Sequence, residues 1–187
     1  SPEKKKQKSV LLDCIESGST VRFILPIVAA LGIEAKVTGK EGLQKRPLKD
    51  LVDVLKEHGE EIDSENLPLT MKGKISSGIY KIRGDVSSQY ITGLLLALPL
   101  LDKDSEIIIE GELVSKKYID ITLDVQKLFG ITISKSENGF IIPGNQKYIA
   151  PKKMTVQGDW SNAAFWLSLG ALNSDIEITG LSLETQQ

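Results

Sequence analysis

Three consecutive polar side chains, Ser87, Ser88 and Gln89, are the clearest candidates for ligand chemistry in this chain. They lie in the polar segment 84–90, after an alternating run that predicts a β-strand and before an apolar run, closed by Pro99, that predicts an α-helix. They should therefore lie at a helix N-terminus, where free backbone N–H groups and the helix dipole favour an anion. Two hydroxyls and an amide there suit a phosphate ester. The alternative is a serine N-cap with nothing bound.

Cationic side chains fall in or beside the other polar turns: Arg22, Lys45, Arg46, Lys116 and Lys117. Arginine can pair with phosphate or carboxylate through two parallel N–H bonds. Arg46 precedes Pro47, the predicted first residue of a helix, so its charge should add to the positive end of that helix. Gly18, between two serines, either lets a ligand approach the backbone or forms a plain tight turn. Ser115 precedes another predicted helix, where a capping role is expected.

The composition argues against several classes of function. The chain has 187 residues and a formal net charge of −2, with interspersed charges that do not suit non-specific nucleic-acid binding. The basic cluster at 4–8 indicates a solvated turn or tail. Cys14 is the single cysteine, so no internal disulfide is expected, and the single histidine, His58, precedes Gly59 at a predicted helix end.

Other motifs are absent from the sequence. It has no P-loop, no Gly-x-Gly-x-x-Gly and no metal-ligand pattern, so neither a cofactor nor a metal is expected. It also has no signal peptide and no apolar run of about 18 residues, which predicts a soluble, cytoplasmic protein with no membrane partner.

The elements that must position these residues follow one order, repeated after 71 residues. The offset relates Asp53, Val54, Lys56 and Gly59 to Asp124, Val125, Lys127 and Gly130. A period near 70 residues indicates one repeated supersecondary unit, and units packed around a common axis would bring several helix N-termini to one end. A third round begins near residue 154 and is incomplete, so the sequence is expected to be an excerpt of a longer protein.

The pattern predicts the individual elements as follows. Strands are expected at 10–14 (buried), 33–38, around 62, and at 67–71, 79–83, 106–110, 131–134, 140–142, 154–157 and 176–179. Helices are expected at 21–31 (kinked by Pro26), 47–59, 91–98, 118–129 and 163–172, with a polar turn at 16–20.

Four segments resemble the 5-enolpyruvylshikimate-3-phosphate synthases in order and spacing: SGSTVRF at 17–23, QKRP at 44–47, GDVSSQY at 84–90 and LVSKKYIDIT at 113–122. GDWS at 158–161 is similar to the segment where the chain of that family crosses from one domain into the other. The resemblance implies an α/β fold (α+β type) of repeated βαβαββ units around a pseudo-threefold axis. It also implies that 1–149 form most of the first domain, which binds shikimate phosphate, and that 150–187 open the second.

The same resemblance implies an activity. The family transfers the enolpyruvyl group of phosphoenolpyruvate to the 5-hydroxyl of shikimate 3-phosphate and releases phosphate, in the shikimate pathway to aromatic amino acids. The residues implied to bind shikimate 3-phosphate, the first three through its phosphate, are Ser87, Ser88, Ser115 and Tyr118. Those implied to face phosphoenolpyruvate, with Arg22 as a support, are Gly18, Arg22, Arg46 and Gln89. A monomer is implied for the full-length enzyme.

Two departures from the family pattern affect these expectations. Many members have NAGTAMRP where this chain has ESGSTVRF at 16–23, which bears on the shape of the phosphoenolpyruvate pocket. The family's N-terminal Lys-Ser loop and its catalytic Asp, Lys and Arg residues have no counterpart here, so no catalytic residue is expected in this segment. The alternatives are the sister enzyme that acts on UDP-N-acetylglucosamine, and a non-catalytic phosphate-binding or structural domain.

Overall fold

The computed structural model describes residues 9–173 and 175–182. The strands are β1 (Val10–Asp13), β2 (Ala35–Thr38), β3 (Glu60–Ile62), β4 (Leu69–Gly73), β5 (Ile79–Arg83), β6 (Ser105–Glu110), β7 (Ser134–Ser136) and β8 (Gly139–Ile142). The helices are α1 (Gly18–Leu31), α2 (Glu41–Gln44), α3 (Lys49–Glu57), α4 (Ser88–Ala97), α5 (Lys116–Leu128) and α6 (Trp160–Asn173). The basic cluster at 4–8 lies outside the described residues.

Two units with the same topology make up most of this structure. In the first, β1 and β2 pair in parallel, and β4 and β3 continue the sheet antiparallel, in the order β1-β2-β4-β3. The second sheet repeats this arrangement as β5-β6-β8-β7. Helices α1 and α3 belong to the first unit, and α4 and α5 occupy the same places in the second. The predicted α/β fold of repeated βαβαββ units is therefore confirmed.

Helices α1 and α4 pack closely because two residues remove the obstacles to contact. Pro26 lies inside α1 and has no N–H, so the carbonyl of Arg22, four residues earlier, loses its helical donor. Gly93 of α4 lies against this carbonyl, and a Cβ at Gly93 would collide with the Arg22 oxygen. A glycine is required there because a side chain would collide with backbone. The resulting contact places the N-termini of α1 and α4 side by side.

Several boundaries in the first unit differ from the prediction. β1 is an edge strand with Val10 and Leu11 exposed, so the expected burial was wrong; a short apolar run does not distinguish a central strand from an edge strand. The predicted polar turn at 16–20 is partly helical, since Ser17 caps α1 and the helix begins at Gly18. Pro47 is not the first helical residue, because α3 starts at Lys49 after Leu48.

Later elements also needed correction. The strand predicted at 131–134 lies at Ser134–Ser136, and Pro99 falls inside a 3-10 helix at Leu98–Leu100 that extends α4. The third round forms α6 as expected, but within the described residues neither 154–157 nor 176–179 is a strand. A strand is assigned where its backbone pairs repeatedly with a neighbouring strand. Next to these two segments the structure describes one such bond between them, from Gly158 N to Gly180 O at 3.1 Å.

Candidate functional site

A cavity of about 680 Å³ opens between α1, α4 and α5. Six of the eight predicted site residues line it: Arg22, Ser87, Ser88, Gln89, Ser115 and Tyr118. The remainder of the lining combines apolar side chains with three hydroxyls: Phe23, Val86, Leu96, Val114, Ile121, Val125, Ser19, Thr92 and Thr122. The cavity therefore offers polar groups at the helix N-termini and apolar walls further along the helices.

The N-terminus of α4 presents the two adjacent serines in different ways. Ser87 is the N-cap in extended conformation, and its Oγ accepts a hydrogen bond from the Gln89 N–H at 3.3 Å. Ser88 is the first helical residue and is buried, with 9% of its surface exposed. The sequence-based placement of this pair at a helix N-terminus is confirmed. Because Ser87 does cap the helix, capping and ligand binding are not exclusive roles at this position.

A close backbone approach at Gly84 brings the N-terminus of α5 to the same place. The Gly84 carbonyl accepts a bond from Val114 N at 3.3 Å, and the Gly84 N–H donates to Glu110 O at 2.9 Å. A Cβ at Gly84 would lie 2.7 Å from Ile109 Cγ2 and 2.9 Å from the carbonyl of Glu112. Only glycine allows this contact, which holds the segment before Ser115 against the segment before Ser88.

Ser115 adopts an unusual backbone conformation at the start of α5. Its φ of 58° and ψ of 40° lie in the left-handed region, which is unfavourable for a residue with a side chain. Its hydroxyl makes no capping bond to the helix, so the capping role expected from the sequence was wrong. The hydroxyl is thus left available at the cavity. Tyr118, one turn later, lines the same cavity and is 63% exposed.

A side-chain network joins α1 to α4 beside these serines. Arg22 Nη1 donates to Gln89 Oε1 at 2.7 Å, and Gln89 Nε2 donates to Ser19 Oγ at 2.9 Å. Because a primary amide has two N–H donors, Gln89 retains one for a ligand. Sequence reasoning did not single out Ser19, although its hydroxyl in the SGST run was the available signal.

Gly18 and Arg46 lie next to each other outside the cavity lining. A Cβ at Gly18 would come within 2.8 Å of Arg46 Nη1, so the arginine lies over the first residue of α1. This corrects the expectation that Arg46 extends the positive end of α3. The guanidinium instead adds its charge to the N-terminus of α1, the helix that also contributes Arg22.

The acidic residue nearest the serines is neutralised by its neighbour. Arg83 donates to both carboxylate oxygens of Asp85, Nε to Oδ1 at 3.1 Å and Nη2 to Oδ2 at 2.9 Å. This pairing holds the pKa of the Asp85 carboxyl below its usual value. The turn at 84–87 therefore carries little net negative charge, which favours an anionic ligand at the neighbouring helix N-termini.

Residues 9–173 and 175–182 show neither a membrane-spanning helix nor a cluster of metal ligands. None of the helices in this part of the chain is long and apolar enough to span a membrane. The same residues contain no group of three or more His, Cys, Asp or Glu side chains able to hold a metal ion.

The paired βαβαββ units have the fold of solved EPSP synthases. Two structures of EPSP synthase from Acinetobacter baumannii match with TM-scores of 0.75 and 0.71, at 20% and 21% sequence identity. The alignments cover 94% and 84% of this chain, and 40% and 35% of those chains. The family model for EPSP synthase (3-phosphoshikimate 1-carboxyvinyltransferase) matches residues 1–187, and the chain belongs to this family.

Curated relatives agree with this assignment. A 3-phosphoshikimate 1-carboxyvinyltransferase from Clostridium kluyveri is 47% identical over 177 residues, which cover 93% of this chain and 41% of the relative. The protein of the same name from Methanocaldococcus jannaschii is 42% identical over 184 residues, covering 95% of this chain and 43% of the relative. The chain thus spans about two fifths of the length of these relatives.

Proposed function

We propose that this chain forms part of the substrate-binding cleft of a 3-phosphoshikimate 1-carboxyvinyltransferase. The enzyme would transfer the enolpyruvyl group of phosphoenolpyruvate to the 5-hydroxyl of shikimate 3-phosphate and release phosphate, a step toward aromatic amino acids. Family membership supports the reaction. The observation that carries the site is the convergence of the α4 and α5 N-termini, with Ser88 and Ser115, on one cavity.

Shikimate 3-phosphate is assigned to the α4 and α5 side of the cavity. Ser87, Ser88 and Ser115 are the residues proposed to hold its phosphate, which would also meet free N–H groups and the positive ends of two helices. Tyr118 would lie against the same substrate, since its exposed ring is one helical turn from Ser115. The hydroxyl of Ser115, unused in capping, supports this assignment.

Phosphoenolpyruvate is assigned to the α1 side. Arg46 and the backbone of Gly18 would bind its charged groups, and the remaining amide N–H of Gln89 would contribute one further bond. Arg22 would act as the support, because it binds the side chain of Gln89 and a backbone carbonyl next to Arg46. Two anions would then bind at neighbouring helix N-termini.

The chemistry needs groups that this part of the chain does not place in the cavity. Addition and elimination of an enolpyruvyl group require proton transfer to and from positioned acids and bases. The described cavity lining contains no Asp, Glu, His or Lys side chain. We therefore assign the acid and base groups to a second domain of a longer polypeptide, with 1–149 in the first domain and 150–187 opening the second. The longer polypeptide would be monomeric and cytoplasmic.

The comparisons do not favour the sister reaction on UDP-N-acetylglucosamine, since the matching family and the relatives named above carry the shikimate activity. Calorimetry of shikimate 3-phosphate and shikimate with a polypeptide of the relatives' length tests the substrate. Phosphate release with both substrates tests the reaction, and the 187-residue chain alone should show no turnover. Turnover by that chain near ordinary enzyme rates, about 10 per second, would overturn the proposed division of roles.

A further inference from the structure

The segment that carries Arg46 lies between two helices and ends at Leu48, which is 1% exposed and accepts a bond from Val52 N at 3.0 Å. Residues 45–48 link α2 to α3 without regular secondary structure. The Arg46 N–H donates to Leu43 O at 3.0 Å, but Pro47 has no N–H with which to anchor the segment. Its position must therefore depend on contacts with other elements.

Two donors from other elements converge on one carbonyl of this segment. The hydroxyl of Tyr90 donates to Pro47 O at 2.7 Å, and Arg22 Nη2 donates to the same oxygen at 3.3 Å. The Arg22 guanidinium also lies over the Tyr90 ring, 5.4 Å from its centroid. Tyr90 directly follows Gln89 on α4, so one short stretch of helix fixes both the amide and the Arg46 segment.

The Tyr90 hydroxyl is well suited to this contact. The residue is 1% exposed, and burial raises the pKa of its phenol, so the group remains a protonated donor. The Arg46 guanidinium, in contrast, has no hydrogen bond or ion pair with any residue in the described part of the chain. A long unpaired side chain can meet a ligand reproducibly only when its own backbone is held in place.

We propose that Tyr90 is a positioning residue that holds Pro47 through its hydroxyl and so directs Arg46 toward phosphoenolpyruvate. This inference rests on the proposed function and adds a residue that does not itself touch substrate. It gives α4 two tasks: its N-terminus would bind one anion, and its next residue would place the arginine for the other.

The test is Tyr90→Phe in a polypeptide of the relatives' length. The KM for phosphoenolpyruvate should rise about threefold to tenfold, while the KM for shikimate 3-phosphate stays unchanged. Tyr80→Phe is the matched control, because Tyr80 is also fully buried and its hydroxyl donates to a carbonyl, Ser76 O, at 2.6 Å. Tyr80 does not line the cavity, so its variant should leave both KM values unchanged.

A second variant isolates the route of the effect. In an Arg46→Ala background, Tyr90→Phe should no longer change the KM for phosphoenolpyruvate, because the group that it positions is gone. Hydrogen exchange at the Arg46 amide should be faster in the Tyr90 variant than in the Tyr80 variant. An unchanged KM in Tyr90→Phe, or an equal effect with and without Arg46, would overturn the positioning role. Absence of turnover in the unmodified protein would instead overturn the proposed function.

Discussion

Helices α3 and α5 occupy equivalent places in the two units, but they meet different environments. In the first unit, α3 buries four apolar residues, Leu51, Val52, Val54 and Leu55. In the second, α5 buries Ile119 and Gln126 and leaves much of its apolar surface open. The repeat offset makes the contrast direct, because Val54 is 6% exposed and its counterpart Val125 is 36% exposed.

This difference separates a helix that packs into the core from a helix that lines the cavity. The apolar face of α3 is buried in the core, whereas the exposed face of α5 contributes Tyr118, Ile121 and Val125 to the cavity wall. The first unit contributes to the site mainly through α1 and the Arg46 segment. Equivalent helices of a repeated fold can thus pack into the core in one copy and line a cavity in the other, without a change in topology.

Truncating one leucine in each helix should give the largest contrast. Leu55 of α3 is fully buried, so Leu55→Ala should lower the free energy of unfolding by roughly 2–5 kcal/mol. Leu128 of α5 is 60% exposed, and Leu128→Ala should change it by less than about 0.5 kcal/mol. Urea unfolding of the chain measures both. Equal losses would mean that α5 is packed as tightly as α3 in solution.

A buried carboxyl distinguishes the two units. Glu60 of β3 is 3% exposed, and neither carboxyl oxygen has a hydrogen bond within the described residues. The residue at the repeat offset, Ile131, lies before β7 and is an equally buried apolar residue. Burial, with a smaller contribution from the charge of Glu61, raises the pKa of Glu60 from 4.5 to about 7.

This pKa shift predicts a loss of stability as pH rises. Between pH 4.5 and about 7 the folded state binds more protons at Glu60 than the unfolded chain does. The stabilisation of the folded state by the protonated carboxyl is therefore complete below this pH range and lost above it. The free energy of unfolding of the wild type should fall by about 3 kcal/mol between pH 4.5 and 8 because of Glu60, and Glu60→Gln should remove this fall, as measured by urea unfolding. Glu57→Gln, an exposed carboxyl, is the control. Identical pH slopes for wild type and Glu60→Gln would show that the carboxyl is not desolvated.

Arg46 tests whether the first unit takes part in binding at all. In a polypeptide of the relatives' length, Arg46→Lys should weaken transition-state stabilisation by roughly 1.5–3 kcal/mol, because an ammonium cannot form the two-bond fork of a guanidinium. Stability should not change, since the side chain is exposed and has no partner in the described part of the chain. The control is Lys45→Ala, which removes a neighbouring charge already paired with Glu41 at 2.7 Å. A normal kcat/KM in Arg46→Lys would show that Arg46 does not bind substrate.

The sequence predicted the elements whose signals are local. The alternation at 79–83 matches β5 residue for residue, and the polar run before the apolar helix placed Ser88 at the start of α4. Features set by distant backbone were missed. The left-handed Ser115 follows from the contact of its segment with Gly84, and the approach of Arg46 to Gly18 depends on folding across 28 residues of chain. Neither leaves a local pattern.

The smallest effects should come from the serines of the second unit. Ser87→Ala and Ser88→Ala, in a polypeptide of the relatives' length, should each weaken shikimate 3-phosphate binding by about 1–3 kcal/mol and hardly change the affinity for shikimate, which lacks the phosphate. Only Ser87→Ala should also reduce stability, by about 1 kcal/mol, because Ser87 alone caps α4. Calorimetry with both ligands and thermal unfolding separate these two effects.

Ser17 supplies the matched control in the first unit. Its Oγ caps α1 by accepting from Thr20 N at 3.2 Å, and it does not line the cavity. Ser17→Ala should therefore cost about as much stability as Ser87→Ala while leaving the ratio of the two ligand affinities intact. If Ser87→Ala and Ser88→Ala also left that ratio intact, the phosphate would have to bind elsewhere. The proposed role of the α4 N-terminus in binding the phosphate of shikimate 3-phosphate would then be wrong.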